Sequence, residues 1–149
     1  MKLYFWTLLL ALCTAALGIS AQANSSPAGS WHSIDEKTGT PRAEIRISEQ
    51  RGVFTGRIVR SLQATTAGMV ELCGKCPDDR KDKPMIGLDI IRNAAPAVDA
   101  TSWEGGEILD PDKGKIYKLQ LQMLDGGQKL QVRGYIGPFF RTQIWVRVP

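Results

Sequence analysis

The strict alternation filling the last third of this chain constrains it most. From Lys115 to Leu124, Tyr117, Leu119, Leu121 and Met123 share one face, and Lys118, Gln120 and Gln122 share the other. A period of two places successive side chains on opposite sides of a strand. The cluster Asp125-Gly126-Gly127-Gln128 then supplies a turn, and a second alternating run follows from Lys129 to Ile136. Gly137-Pro138 interrupts that run, and a third spans Arg141 to Val148. Three consecutive strands with turn residues between them read as antiparallel hairpins.

Upstream, Gly29–Ile34, Arg42–Ser48 and Val53–Leu62 read as strands, separated by turn chemistry at 35–41 and 49–52. Gly56 in the third of these points to a bulge or a close approach. Residues 73–84 read as a loop, Met85–Arg92 as a strand, 93–100 as a loop, and Ser102–Leu109 as a strand carrying Gly105-Gly106. In Asp110-Pro111-Asp112-Lys113-Gly114, Pro presets φ and Gly tolerates the left-handed position, which specifies a β-turn. The count is about eight strands with no convincing helix. An all-β, antiparallel, up-and-down barrel of about eight strands fits a chain of this size, and closure removes exposed strand edges. An open sandwich is the structural rival. An outer-membrane barrel, apolar outside and polar inside, is a further one, disfavoured by the poor alternation of Met85–Arg92 and the scarcity of aromatic residues.

The N-terminus is read as an export signal. Lys2 precedes an apolar stretch, Leu3–Leu17, and Ala21-Gln22-Ala23 fits a small-residue cleavage site. Cleavage after Ala23 leaves residues 24–149 as one domain. The stretch falls short of the about 20 apolar residues a bilayer span requires, and no later segment is apolar enough for a helical one. Loss of Lys2 takes the formal charge from +4 to +3, spread along the chain. Nucleic-acid binding concentrates Lys and Arg on one face. The densest run here, Arg80-Lys81-Asp82-Lys83, is interleaved with acids and reads as a solvated loop. Neither a nucleic-acid partner nor an integral membrane span is expected.

Cys73-Gly74-Lys75-Cys76 has the spacing of thiol oxidoreductases, where one thiolate attacks and the other resolves. Pro77 and a charged loop follow instead of a helix, and export implies an oxidising compartment. We therefore carry a local Cys73–Cys76 disulfide as the first reading and thiol redox chemistry as its alternative. Zinc would need four ligands, and His32 is the only histidine. A Ser–His–acid triad would have to use that same His32, and no nucleophile elbow is present. Glu104, Glu107 and Asp110 could form a carboxylate pair, yet turn chemistry and solvent exposure account for them. No catalytic residue, metal or cofactor is assigned.

The arginines say more. Gln143, Trp145 and Arg147 share one face of their strand, and Gln131, Arg133 and Tyr135 share one face of the strand before it. We read these as a single mixed face of the hairpin. Pointing inward, it would line a cavity with guanidinium groups suited to an acid-headed amphipathic ligand. Pointing outward, it would cover a dry barrel, and the rarity of buried arginine favours that orientation. Trp31, Arg133, Tyr135, Trp145 and Arg147 are the candidate ligand-binding residues.

Two resemblances rest on these positions. Gly29-Ser30-Trp31 on the first strand, with Arg147 on the last, is similar to the lipocalin and wider calycin pattern. That resemblance implies a Trp closing one end of the barrel beneath an Arg from the final strand. Nearly the whole of residues 24–149 resembles the bacterial secreted family catalogued as domain of unknown function 2147. The residues carrying it are Gly29-x-Trp31, Gly56-Arg57-Ile58, Cys73 and Cys76-Pro77, and Lys83-Pro84-Met85-Ile86-Gly87. They continue through Trp103-x-Gly105-Gly106-x-Ile108-x-Asp110-Pro111, Gly114-Lys115-x-Tyr117, Val132-Arg133-Gly134-Tyr135-Ile136-Gly137 and Trp145-x-Arg147. The resemblance implies a calycin-like fold and a periplasmic or secreted location. One departure is Phe140, where that family often has Gly, which bears on the shape of the last hairpin. The expected function is binding of a small amphipathic ligand. A non-catalytic envelope interaction protein is a further alternative.

Overall fold

The structure, a computed structural model, describes residues 26–64 and 68–149. The export signal read over residues 1–23 lies outside the described residues. Nine strands carry the fold: β1 (Gly29–Ile34), β2 (Pro41–Gln50), β3 (Val53–Ser61), β4 (Asp89–Pro96), β5 (Ser102–Glu104), β6 (Glu107–Asp110), β7 (Lys115–Leu124), β8 (Lys129–Ile136) and β9 (Phe139–Arg147). Every pairing between them is antiparallel. The sheet closes because β3 pairs with β4 as well as with β2. β5 and β6 both lie between β4 and β7 and together make one stave, so the barrel has eight.

The broken stave has a local cause. Gly105 sits at φ +76°, and a Cβ on Gly106 would lie 2.4 Å from the Arg92 carbonyl oxygen. Only glycine lets the wall fold this tightly against β4. On the β4 side, Asn93 has φ 61°. Asn tolerates that left-handed value, so the residue makes a kink within the strand and does not end it.

This corrects the sequence reading of Met85–Arg92 as strand and 93–100 as loop. β4 starts four residues later and continues through Pro96, which pairs with Trp103 at the strand end. The Leu88 N–H donates to the Met85 carbonyl, and Gly87 takes φ +93°, so residues 85–88 turn the chain. At Gly56 the pairing of β3 with β4 slips in register, as its place in the strand suggested.

The interior is apolar. Ile45, Ile47, Phe54, Ile91, Leu121 and Leu130 are among the residues buried there. Each such side chain contributes about 1.5–3 kcal/mol of transfer free energy. Charged and amide side chains such as Arg46, Arg57, Lys118 and Gln122 stay solvent-facing. The alternation is therefore apolar inward, opposite in sense to an outer-membrane barrel.

Candidate ligand cavity and the two ends of the barrel

Strand direction sorts the loops. The N-terminal residues 26–28 and the connections at 51–52, 97–101 and 125–128 lie at one end. The connections at 35–40, 111–114 and 137–138, with residues 62–64 and 68–88, lie at the other.

The first end is closed by Trp31, which has no exposed surface. Its indole Nε1–H donates to the Pro27 carbonyl at 2.8 Å. The Arg147 guanidinium lies over its ring, 4.2 Å from the centroid. Arg147 donates to the carbonyls of Gly127, Ser26 and Ala28 at 2.6, 2.9 and 3.1 Å. Burial pushes its pKa down, against a guanidinium's ordinary range. Among the described residues, backbone acceptors and a π face satisfy the charge without any carboxylate. The resemblance-based expectation of a Trp under a final-strand Arg holds at this end.

The other end opens into a cavity of about 670 Å³. Ligand pockets run from about 300 to 1,000 Å³. Ile45, Ile58, Ile90, Val132 and Trp145 supply apolar wall, while Tyr117 and Gln143 add polar groups. The Trp145 Nε1–H donates to Gln143 Oε1 at 3.2 Å. Gly134 keeps this wall open: a Cβ there would meet the Tyr117 Cβ at 3.0 Å.

Register decides the hairpin question. Leu130 pairs with Trp145 and Val132 with Gln143, while Arg133 pairs with Thr142 and Tyr135 with Phe140. Directly opposed residues share a face. The mixed face of β9 therefore points inward and that of β8 points outward, so the single mixed face expected from the sequence does not exist. The alternation of each strand is correct, but the offset between them puts the polar row of β8 opposite the apolar row of β9.

Of the five candidate residues, only Trp145 lines the cavity; Trp31 and Arg147 close the far end. Arg133 and Tyr135 sit in an outer-surface network. The Arg133 Nε–H donates to Thr142 Oγ1 at 2.9 Å, and the Tyr135 hydroxyl donates to Gln120 Oε1 at 3.1 Å. Phe140 joins them outside, with the Arg133 guanidinium 4.8 Å from its ring centroid. The departure at Phe140 thus leaves the mouth unobstructed.

The polar groups at the mouth were not assigned from sequence. Arg141 is the next inward residue above Gln143 and Trp145 on β9, and it lines the cavity. Its Nε–H and Nη2–H donate to the two oxygens of Glu36 at 3.0 and 2.9 Å, a bidentate fork. Asp110 stands 3.8 Å from its Nη1. The hydrogen bond from Arg141 holds Glu36 below the usual carboxylate range, and Glu36 in turn raises Arg141. Arg42, at the start of β2, pairs with Asp112 of the 111–114 turn, three staves around the barrel. These pairs are about half exposed, and such pairs contribute about 0.2–1 kcal/mol each.

The described residues of the 62–88 connection flank the mouth and are fastened to the wall. Cys73 and Cys76 are joined by a disulfide, both about 2 % exposed. Thiol exchange needs an accessible sulfur, and these are covered. Arg80, read from sequence as part of a solvated loop, is 1 % exposed, which corrects that reading. It donates to Asp78 Oδ1 and Oδ2 at 3.0 and 2.7 Å, to Glu107 Oε1 at 2.9 Å and to the Asp89 carbonyl at 3.2 Å. Composition predicted exposure; four guanidinium hydrogen bonds to acceptors on the loop and the wall allow burial. Arg92 clamps Asp79 through two bonds of 2.8 Å. Glu107 and Asp110, weighed above as a carboxylate pair, are engaged by Arg80 and by the 111–114 turn.

A closed antiparallel barrel of eight staves, one end sealed by a Trp–Arg stack and the other open to a cavity, is a lipocalin-like architecture. The chain belongs to the bacterial family described as "Uncharacterized protein conserved in bacteria (DUF2147)", whose pattern matches residues 29–147. Among solved structures it is similar to protein HP1028 from the human pathogen Helicobacter pylori, described as belonging to the lipocalin family. That similarity has a TM-score of 0.69 at 14 % identity, covering 83 % of this chain and 84 % of the other. No curated protein matches the chain. Among the described residues, no helix is long and apolar enough to cross a membrane.

Proposed function

We propose that this chain is an exported, non-enzymatic carrier of a small amphipathic ligand, held with its apolar body in the cavity and its polar end at the mouth. The observation carrying this reading is the cavity itself. Its wall is apolar, its polar groups gather toward one opening, and its volume suits a small molecule. Lipocalin-like architecture supports the same reading by analogy of fold. Export to the periplasm or beyond is supported by the Leu3–Leu17 run, Ala21-Gln22-Ala23, and a disulfide, which persists in oxidising compartments.

Titration with the neutral fluorescent probe N-phenyl-1-naphthylamine tests the cavity. Saturable binding at one site per chain is expected, lost in Ala43→Phe, which would fill the space beside Ile45. A folded wild-type protein that leaves the probe unchanged would sink the proposal. Native mass spectrometry of protein purified from its own compartment should show a retained mass, and an empty barrel there argues against a resident ligand.

A further inference from the structure

Arg42 and Arg141 are the two guanidiniums at the mouth, and both stand on strands, β2 and β9. Two of the carboxylates that hold them stand elsewhere. Glu36 belongs to the 35–40 connection and Asp112 to the 111–114 turn. The cations are thus fixed to the barrel wall, and these two anions come from surface connections, the more mobile parts of a fold. Each of these ion pairs is about half exposed, so water is at hand to receive a displaced carboxylate. Below Arg141 the same inward row continues through Gln143 to Trp145. Four residues of strand span about 13 Å, which sets a polar head at the rim and an apolar chain along Trp145 and Val132.

We propose that the mouth recognises a carboxylate-headed amphipath by exchange: the ligand's carboxylate takes the Arg141 fork from Glu36, and Arg42, released from Asp112, adds a second donor set. Glu36 and Asp112 act as internal stand-ins for the ligand head, keeping both guanidiniums oriented in the empty barrel. One carboxylate replaces another on the same fork, so the pairing changes little in energy, and burial of the apolar chain supplies the drive. An uncharged ligand cannot take the fork and leaves the pairs in place. This inference rests on the cavity reading above.

Cis-parinaric acid and its methyl ester, which share a chain and differ in the head, separate the two proposals. In Arg141→Gln the preference for acid over ester should fall about tenfold, because the fork is gone. In Glu36→Gln affinity for the acid should rise by about threefold or more, because the internal competitor is gone. Asp112→Asn should act in the same direction through Arg42, and it serves if Glu36→Gln fails to fold. A Glu36→Gln or Asp112→Asn protein that binds the acid more weakly would show the pairs to be structural clasps and overturn the exchange. An acid-to-ester preference unmoved by Arg141→Gln would do the same while leaving the cavity reading intact. Failure of wild-type protein to bind either compound would remove both.

Discussion

The two ends of this barrel use the same residue type with opposite partners. At the closed end Arg147 is spent on three backbone carbonyls and the face of Trp31. At the open end Arg141 and Arg42 are held by carboxylates. A carbonyl acceptor neither titrates nor leaves, so the closed end is insensitive to pH and only weakly sensitive to salt. A carboxylate on a surface connection can be protonated, screened or displaced. The guanidinium makes a permanent seal in one place and an exchangeable site in the other, and its partners account for the difference.

The comparison breaks most visibly at the closed end. Trp31→Ala should cost about 3–5 kcal/mol, read from chemical denaturation, because it empties a fully buried site and leaves Arg147 without its ring. Arg147→Met should cost about 3 kcal/mol by the same measurement, since it keeps the bulk and strips donors from buried carbonyls. A loss below about 1 kcal/mol would mean that water satisfies those carbonyls and that the seal is not dry. Arg80→Met lies between the two ends in kind. Its carboxylate partners are about one-third exposed, so a loss of about 2–3 kcal/mol is expected, with faster hydrogen exchange over residues 73–84.

Acid should act on the open end first. Glu36 has an ordinary pKa of 4.5 and a lower one in the folded chain, chiefly through its hydrogen bond from Arg141. The unfolded chain therefore takes up the proton first. The stabilisation is complete above that ordinary value and is lost as pH falls through the depressed one. The half-exposed pair limits the effect to about 1 kcal/mol. Hydrogen exchange should rise over 35–40 in acid while the amides around Trp31 keep their protection. Equal loosening of both ends would contradict the contrast. The smallest effect belongs to Arg133→Ala, within about 0.5 kcal/mol in stability and without change in probe binding, because Arg133 faces outward.

Legibility in the sequence followed the strength of the local pattern. β7 and β8 run over the residues their alternation marks, Lys115–Leu124 and Lys129–Ile136. β9 begins at Phe139, two residues before the alternating run, because Gly137-Pro138 turns the chain in two residues. β4 was displaced because Asn93, Ala94 and Pro96 look like loop when read alone. Their pairing with the β5–β6 stave, where Gly106 admits the close approach, makes them strand. The Trp31–Arg147 stack was legible through a resemblance, and the Cys73–Cys76 disulfide through spacing and inferred compartment. The mouth residues were not legible. Glu36 and Arg141 are 105 positions apart and Arg42 and Asp112 are 70 apart, with nothing local to join them.

By itself the sequence determined that the chain is all-β with about eight staves, where most of its turns fall outside the 85–96 stretch, and which residues alternate on the strongly patterned strands. These are properties of a few neighbouring residues: periodicity, turn chemistry and β-branched or aromatic content. Only the tertiary structure decided which alternating rows meet, because register between strands is a relation across the sheet and a one-residue offset exchanges inside for outside. That offset sends Arg133 and Tyr135 to the surface, sets Trp145 and Arg141 along the cavity, and leaves Arg147 to seal the end. Closure of the barrel did the rest, bringing distant acids to the mouth beside two arginines that the chain alone gives no reason to pair.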